Sequence, residues 1–489
     1  MAKSSEFING GKPVTASAAS GTPFDQVLVD AANYVMDFEV RNPEAWRMAR
    51  YCVMDTLGCA VAALNVPECI KLLGPPVPGM NCQHGARVPG TQYELDPVNA
   101  AFNMGTAARW LELNDTFSAV EGGHPSDNIC GILMTADWLS RRNVAEGRPA
   151  LTMRDVLAAV IKAYEVQGML QMENSFSGYD HIMLPRIAST GVITKMLGGG
   201  YREVVNAFSN AWVDGVHLKV YRQGDNTGSR KSWAAGDAGA RAVRLALIAV
   251  TGEMGYPTAL TAPKWGFYDS LFKGKPFRFQ RPYGSYVIEN AIFKFVPAGN
   301  HGQTAVECAF KLHPLVKDRI DEIQSVLFKT QDKLMTIMDK KGPLTNPAAR
   351  DHCAQYIVAV GMIYGHLGIE DFSDEFAADP RIDALREKMT VVEDPRYSRE
   401  FLDPEKRSKT NGLQVTFKDG STLPLVEVEY TIGHPRRRPE GILMVEEKFR
   451  RHLKRRFPPW RQENIIGLFA DQARFEAMPV HQFVQSFII

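Results

Sequence analysis

Four short polar segments carry side chains that could transfer protons or bind anions. They are residues 114–128 (NDTFSAVEGGHPSDN), 173–181 (ENSFSGYDH), 221–231 (YRQGDNTGSRK) and 293–301 (FKFVPAGNH). The first three lie beside the ends of predicted helices. Their Asp, His, Lys and Arg side chains suit a metal site, an acid/base site or a solvated loop, and spacing helps to separate these alternatives.

Zinc binding is the main rival for Asp115, His124, Asp127 and His181. The sequence has neither the HxxxH nor the HExxH spacing of helical zinc sites, and no Cys–His pairing accompanies these residues. An imidazole titrates near neutral pH, which suits proton transfer. These residues therefore favour an acid/base loop over a metal site. Asp127 and Asn128 are predicted to form the N-cap of the following helix.

The third segment has the character of an anion site. Arg222, Arg230 and Lys231 flank the N-terminus of a helix predicted over residues 232–254, where free backbone N–H groups favour anions. Neutral donors are added by Asn226, Thr227 and Ser229. The segment suits carboxylates or phosphate, and a solvated basic loop remains the alternative.

Composition limits the class of protein. The chain has 489 residues with 45% hydrophobic content, which suffices for a large core and more than one domain. Lys and Arg total 56 against 55 Asp and Glu, so the overall charge gives no reason to expect nucleic acid or an anionic membrane as partner. Residues 1–22 lack the features of a signal or transit peptide and are predicted to be a flexible arm. We expect a cytoplasmic protein, with the mitochondrial matrix as the alternative.

The cysteines indicate a reducing compartment. There are seven, an odd number, and no CxxC pair occurs among them. Iron–sulfur clusters need grouped thiolates, so the pattern also disfavours such a cluster.

The elements that must position these segments are mostly helices. Apolar residues recur at helical spacing from residue 24 onward, and helix starts are indicated at Asn42-Pro43, Asp96-Pro97 and Thr152 with Asp155. The glycine run at 198–200 follows a helix, so we interpret it as a helix terminus rather than a nucleotide loop. Strand–helix alternation is missing, which argues against Rossmann and TIM-barrel folds.

The character changes after about residue 280. IDEIQSVLFKT is predicted to be a strand, GLQVTFKDGSTLPLVEVEY to be two strands around an Asp-Gly turn, and DHCAQYIVAVGMIYGHL to be a helix between them. The tail is helical again. We therefore predict a mostly α protein: a helical domain (23–280), an inserted smaller α+β lid (281–442), and C-terminal helices (443–489) that return to the helical domain.

Several motifs, taken together and in order, resemble the 2-methylcitrate dehydratases of the MmgE/PrpD family, from about residue 70 to the C-terminus. They are GGHPSDN, QMENSF…DH, NTGSRKSWAAGDA, TAPKWGFYD, RPYGSYVIEN, HGQTAVE, DKKGPL, DHCAQY and IGHPRRR. The resemblance implies a helical body with an α+β lid, a homodimer, and catalysis without metal or organic cofactor. It implies loss of water from a 2-alkylcitrate, a small tricarboxylate, to give a 2-alkyl-cis-aconitate.

The resemblance also implies the site residues. The catalytic positions that carry over are Asp115, His124, His181, Lys231, Lys294 and Tyr356. We expect His124 or His181 to handle the proton with Asp115 orienting an imidazole, and Tyr356 to donate a hydroxyl hydrogen. Carboxylates would bind to Lys231 and Lys294, and the predicted substrate-binding residues are Arg222, Arg230, Asn226, Thr227, His301 and Gly122. Which group is base and which is acid stays open.

Three departures fall inside the site. Gly122 stands where these enzymes usually have Trp, segment 173–181 is shorter than usual, and Gly299-Asn300 replaces an acid and an aromatic residue. The lost aromatic volume could admit a longer alkyl chain, as in related dehydratases of fungal maleidride biosynthesis. Both substrate sizes therefore remain open, as do cis-aconitate decarboxylation, epimerisation and a non-catalytic scaffold.

Overall fold

The computed structural model describes residues 21–176 and 178–489; the predicted N-terminal arm lies almost entirely outside the described residues. The first part of the chain is helical, as predicted, with one small hairpin of β1 (Ala86–Arg87) and β2 (Glu94–Leu95) that the sequence did not indicate. Its helices are α1 (Gln26–Asp37), α2 (Pro43–Ala63), α3 (Pro67–Ile70), α4 (Pro97–Trp110), α5 (Asp127–Ala145), α6 (Met153–Glu173), α7 (Met183–Met196), α8 (Tyr201–Val213), α9 (Arg230–Ala249), α10 (Phe267–Leu271) and α11 (Tyr286–Glu289).

Helix starts agree with the capping residues in the sequence. The side chain of Asn42 accepts a hydrogen bond from the amide of Glu44, and Asp96 caps α4 in the same way. Thr152 and Asp155 form the predicted capping box of α6. Each cap satisfies backbone N–H groups that the first helical turn leaves free.

Two predicted helix boundaries are wrong. Helix α5 has Ser126 at its N-cap, so Asp127 is already helical, and Asn128 bonds to Pro125 O and to the side chain of Gln167 instead of capping. Helix α9 begins at Arg230 and ends at Ala249, five residues before the predicted end, and Gly252 three residues farther on has a positive φ of 87°.

The middle of the chain forms an α+β unit with its own core. Its elements are α12 (Gln303–Val316), β3 (Ile323–Thr330), α13 (Asp332–Met338), α14 (Pro347–Arg350), α15 (Ala354–Tyr364), α16 (Asp374–Ala377), α17 (Pro380–Glu387), β4 (Met389–Glu393), α18 (Pro395–Leu402), β5 (Asn411–Phe417) and β6 (Val426–Val428). The strand order is β4-β3-β5-β6, with β3 parallel to β4 and antiparallel to β5. Strands β3, β5 and β6 were predicted, and β4 was not.

Two large hydrophobic cores divide the described part of the chain, beside a third, small cluster that includes Tyr221 and Ala234. The second core lies between Ala298 and Val428, and we keep the name lid for this part. The remaining helices form the body, whose core also contains Phe293, so the change of core falls nearer residue 296 than the predicted 281. The predicted boundaries 23–280, 281–442 and 443–489 stay predictions.

The C-terminal helices pack on the body, as the fold class requires. They are α19 (Arg438–Lys454), α20 (Pro459–Leu468), α21 (Gln472–Ala477) and α22 (Val480–Gln485), and their apolar side chains belong to the body's core. Within residues 21–176 and 178–489, no helix is both long and apolar enough to cross a membrane.

Helices α4 and α9 cross in close contact, and this crossing places much of the polar cluster described below. A Cβ atom at Gly105 of α4 would lie 2.8 Å from the Cα atom of Gly236 of α9. Only glycine fits at such a distance. The close approach brings the C-terminus of α4 beside the N-terminus of α9.

A buried ammonium joins α19 to the body. Lys448 Nζ donates to Asp55 Oδ1 at 2.7 Å, to Leu113 O at 2.7 Å and to Lys294 O at 2.8 Å. Both charged side chains are about 1% exposed. This one side chain therefore joins α2 and α19 to the two segments that carry the catalytic candidates Asp115 and Lys294.

We predict that Lys448→Met destabilises the protein by about 3–5 kcal/mol, because it leaves a buried carboxylate and two carbonyls without a donor. Lys406→Met is the matched control: its ion pair with Glu400 is exposed to solvent and should contribute little to stability. Urea midpoints and thermal inactivation rates measure the difference. Equal effects of the two substitutions would contradict the structural role of Lys448.

Candidate active site

A buried carboxylate, Glu112, collects three cations at the junction of body and lid. Its Oε2 atom lies 2.7 Å from Arg109 Nη1 and 3.3 Å from Lys294 Nζ, and its Oε1 atom lies 3.5 Å from Lys231 Nζ. The four side chains are at most 2% exposed. We call these residues, together with His124 and His181, the catalytic cluster.

Three elements supply the charged groups of the catalytic cluster. Arg109 lies in the last turn of α4, Lys231 in the first turn of α9, and Lys294 between α11 and α12. Glu112 follows α4 with a φ of 53°, a left-handed conformation that turns the chain sharply at the helix end. The local backbone is thus strained at the residue that binds all three cations.

Electrostatics keep Glu112 ionised despite its burial. Burial alone would raise the pKa of this carboxyl, but the positive charges of Arg109, Lys231 and Lys294 outweigh it and hold the pKa well below its usual range. Burial conversely lowers the pKa of Lys294 to about 8, although Glu112 partly offsets this effect. Lys294 therefore releases a proton more readily than an exposed lysine.

His124 presents an unprotonated ring nitrogen to the catalytic cluster. Its Nδ1 atom lies 2.6 Å from the backbone carbonyl of Asp115, and a carbonyl only accepts, so Nδ1 carries the hydrogen. Nε2 then has a free lone pair, 3.9 Å from Glu112 Oε2. Burial, Arg109 and Lys294 hold the pKa of His124 well below its usual range, so the ring is neutral at neutral pH.

Asp115 orients His124 through its main chain, not through the carboxylate as its expected role would suggest. The carboxylate accepts hydrogen bonds from Ser126 N at 3.1 Å and from Tyr164 OH at 2.7 Å. It thereby fixes the 115–126 loop against α5 and α6. Burial raises the pKa of Asp115.

His181 lies beside His124, with ring centroids 5.8 Å apart. Its Nδ1 atom is 3.4 Å from Asp180 Oδ1, and its buried Nε2 atom has no hydrogen-bond partner among the described residues. Burial is the largest reason why its pKa falls to about 3. A buried ring nitrogen without a partner is suited to a ligand.

Arg222 connects the second and third polar segments. Its guanidinium binds the carboxylate of Asp180 and donates to Lys231 O at 3.1 Å. The charge of Arg222 holds the pKa of Asp180 below its usual range against the effect of burial. Arg222 therefore orders the cluster while remaining bound to a protein carboxylate.

The lid closes over Lys231. Both carboxylate oxygens of Asp351 lie 2.7 Å from Lys231 Nζ, and His352 Nδ1 lies 3.1 Å away. These two lid residues come just before α15. The Lys231 ammonium, which the family resemblance assigns to a substrate carboxylate, is thus paired with the carboxylate of Asp351 in the lid.

Five predicted site residues are not brought to the cluster. Tyr356 lies in the lid core, where its hydroxyl donates to Asp371 O at 2.6 Å instead of facing the catalytic groups. Arg230 is 39% exposed and its guanidinium stacks on Trp233. Asn226 is exposed, Thr227 Oγ1 accepts a hydrogen bond from Lys340 of the lid, and His301 contacts Gln331 and Phe401.

Gly122 lies at an open position on the 115–126 loop. A Cβ atom there would meet nothing within 4 Å, and its φ lies outside the left-handed region. A turn alone therefore does not require glycine at this position.

Sequence reasoning missed several residues of the site: Arg109, Glu112, Asp180, Asp351 and His352. Arg109 and Glu112 are an i,i+3 pair of opposite charge at a helix end, which is a usable signal. It was hidden because the apolar residues around Glu112 suggested a simple continuation of α4. The Asp-His pairs at 180–181 and 351–352 belong to the family motifs, but the resemblance assigns no role to Asp351 or His352.

Metal-binding geometry is not evident in the catalytic cluster. In the described part of the chain, no three His, Cys, Asp or Glu side chains are grouped as ligands for one ion. The seven cysteines are free thiols, and six of them are buried.

Comparison with known proteins gives consistent matches over most of the chain. Residues 29–280 match the MmgE/PrpD N-terminal domain and residues 296–472 match the MmgE/PrpD C-terminal domain. The chain is 56% identical to a 2-methylcitrate dehydratase of Cupriavidus necator, over 97% of this chain and 99% of that protein. Identity is 54% to a 2-methylcitrate dehydratase of Salmonella typhimurium, over 95% and 98% of the two chains.

A eukaryotic relative is similar over almost the same length. The chain is 49% identical to a mitochondrial 2-methylcitrate dehydratase of Yarrowia lipolytica, over 95% of this chain and 90% of that protein. Two domain matches in the expected order and identity near or above 50% across the whole fold lead to one conclusion. The chain belongs to the MmgE/PrpD family.

Proposed function

We propose that the protein is a hydro-lyase that removes water from 2-methylcitrate to give 2-methyl-cis-aconitate. The observation that carries this proposal is the catalytic cluster, in which three buried cations surround one carboxylate beside a neutral imidazole with a free Nε2. Relatives that share about half of this sequence are named 2-methylcitrate dehydratases, which supports the choice of substrate. A direct test is to incubate the protein with 2-methylcitrate and measure the product by mass.

His124 is the proposed base. The hydrogen bond from Nδ1–H to Asp115 O leaves Nε2 as the acceptor, and the lowered pKa keeps it unprotonated. It would remove the proton from the carbon next to a substrate carboxylate, whose electrons form the new C=C bond. His181, also neutral, is placed to hold the same region of the substrate.

Lys294 is the proposed acid. With a pKa of about 8 its ammonium is protonated at neutral pH yet donates readily, which suits protonation of the departing hydroxyl group as the C–O bond breaks. Water leaves and Lys294 becomes neutral. Proton return from His124 to Lys294 through solvent would reset the site.

The remaining cations bind substrate carboxylates and stabilise the charge that develops during elimination. Arg109 and Lys231 are the proposed groups, and Lys231 becomes available when Asp351 moves away from it. The lid must therefore open for substrate to enter and close again for reaction. Predicted homodimer formation and the cytoplasmic location stay predictions, with the mitochondrial matrix as the alternative compartment.

A citrate with a longer 2-alkyl group is a second candidate substrate. The open position at Gly122, two residues before His124, favours it because no described atom would contact a side chain's first carbon there. Cis-aconitate decarboxylation, epimerisation and a scaffold role have no comparable observation in their favour.

We predict a kcat profile at saturating substrate that stays level from below pH 6.5 to about pH 8 and then falls about tenfold per pH unit. The base must be unprotonated, and its pKa lies well below 6.5; the acid must be protonated, and its pKa is about 8. In Lys294→Arg the fall above pH 8 should disappear while activity drops by about 10²–10⁴-fold, since arginine keeps the charge but not the transferable proton. Full activity in this variant would show that only the charge of Lys294 matters, and an unchanged basic limb would assign that limb elsewhere.

We predict that Gly122→Trp lowers the specificity constant for 2-hexylcitrate relative to 2-methylcitrate on the order of tenfold, since overpacking costs about 1–3 kcal/mol. Gly122→Ala is the matched control and should leave the ratio unchanged, because its Cβ has open space. The ratio of the two specificity constants is the measurement. If Gly122→Trp also leaves it unchanged, Gly122 does not border the alkyl group.

We expect catalysis without a metal ion, because the chain's own cations can bind the carboxylates and protonate the leaving group. Activity should therefore survive exhaustive treatment with EDTA and dialysis, measured against an untreated sample. Loss of activity that iron or zinc restores would overturn the proposed roles of Lys294 and Arg109.

A further inference from the structure

A narrow cleft between body and lid contains a second group of cations. Its walls include Ser118 of the body, Asn300, Arg407 and Lys409 of the lid, and His434 from the segment between β6 and α19. We call it the Lys409 cleft. Its volume of about 10 Å³ is room for about one water, so a larger occupant requires the two walls to separate.

Lys409 is a buried cation without a partner of opposite charge. The residue is 9% exposed, and no ion pair or hydrogen bond of its ammonium occurs within residues 21–176 and 178–489, although Nζ keeps slight contact with solvent. Burial, with a further contribution from the charge of Lys294, lowers its pKa to about 7. An unpaired buried ammonium is unfavourable, so this arrangement needs a reason.

His434 adds a neutral donor. The amide of Arg436 donates to His434 Nδ1 at 3.2 Å, so the hydrogen of the neutral ring is on Nε2. Burial and the charge of Lys409 lower the pKa of His434 to about 3, which keeps the ring neutral. Its ring contacts the ring of Tyr430 at a centroid distance of 4.4 Å, with the two planes tilted by 34°.

Two uncharged groups in the cleft also lack partners. The buried atoms Ser118 Oγ and Asn300 Oδ1 have no hydrogen-bond partner among the described residues. Asn300 Nδ2 donates to Thr116 Oγ1 at 3.0 Å, and Thr116 Oγ1 donates to Gly123 O at 2.9 Å. The Lys409 cleft is thus bonded directly to the loop that carries His124.

The charges around the cleft are mainly positive. Lys294 acts on Lys409 from the catalytic cluster, and Lys409 in turn contributes to the lowered pKa of His301. Arg407 lies on the same wall, and Glu429 is the carboxylate that lines the cleft. The charge of Glu429 does not counteract the lowering of the Lys409 pKa, which burial and Lys294 cause.

We propose that the Lys409 cleft is a carboxylate subsite, in which Lys409 binds the central carboxylate of the tricarboxylate substrate while the catalytic cluster binds the two terminal ones. This inference rests on the proposed function for the identity of the ligand. Binding of the carboxylate supplies the counter-charge that the protein's own side chains do not provide. The subsite also gives a reason for the cations Arg407 and Lys409 in the cleft, in addition to Lys231 at the N-terminus of α9.

The test uses a tricarboxylate that cannot lose water. Propane-1,2,3-tricarboxylate and glutarate, which lacks the central carboxylate, are titrated calorimetrically into wild type, Lys409→Met and Lys406→Met at pH 7. Lys406→Met is the control for an exposed lysine three residues away. We expect Lys409→Met to weaken tricarboxylate binding at least tenfold and to leave glutarate binding and the control unchanged.

Proton uptake gives an independent readout. Titrations in two buffers of different ionisation enthalpy should show uptake of about half a proton by wild type at pH 7, since a group with a pKa of about 7 becomes fully protonated on binding an anion. Lys409→Met should lose this uptake, and Lys409→Arg should bind without it. A higher melting temperature for Lys409→Met, which removes an unpaired buried amine, confirms that this variant folds.

Three other outcomes of these titrations would contradict the carboxylate subsite. Unchanged tricarboxylate affinity in Lys409→Met would overturn it, and equal losses for both ligands would assign Lys409 a general electrostatic effect. If inorganic phosphate binds wild type together with the tricarboxylate and only phosphate binding needs Lys409, the cleft serves a separate small anion. Because these ligands do not react, absence of 2-methylcitrate turnover would refute the proposed function while leaving this binding result interpretable.

Discussion

The ionised carboxylate of Glu112 is the constraint on which the site depends. Three cations buried within a few ångströms of one another would repel strongly in a medium of low dielectric constant. Glu112 reduces that repulsion and is itself kept charged by them. The C-terminus of α4, the N-terminus of α9 and the segment before the lid can meet only because one acidic side chain lies between them.

The same electrostatic arrangement shifts the pKa values of both groups proposed to transfer protons, His124 and Lys294. Burial among cations disfavours additional positive charge, which leaves His124 neutral and makes Lys294 a better acid. In the proposed mechanism, one environment would therefore supply both the base and the acid. The net positive charge that remains is matched to an anionic ligand, whose carboxylates would replace the contact between Asp351 and Lys231.

Local signals in the sequence predicted local structure well. Asn42, Asp96 and Thr152 cap the expected helices because a cap depends on residues two or three positions away. Strand β3 was evident, whereas β4 was not, since five residues carry little periodicity and its pairing with β3 is set by the lid fold.

The candidate site was predictable only in part. The histidines and lysines were found by motif, yet Glu112 was missed because its pairing with Lys294 joins residues 182 positions apart and leaves no pattern in the chain. Tyr356 is the opposite case: the family resemblance placed it among the catalytic groups, while its hydroxyl is bonded within the lid core, so its catalytic role stays a prediction. Sequence identifies residue types reliably here, and tertiary structure decides which of them meet.

The bond between Asp55 and Lys448 has a consequence for biosynthesis. The two residues are 393 positions apart, so at about 5–20 residues per second the ribosome needs roughly 20–80 s to add the second after the first. Until then the apolar face of α2 that receives α19 is exposed, and the carbonyls of Leu113 and Lys294 lack their donor. The body therefore completes its folding after translation has passed the lid, and the nascent helices need protection from aggregation throughout that interval.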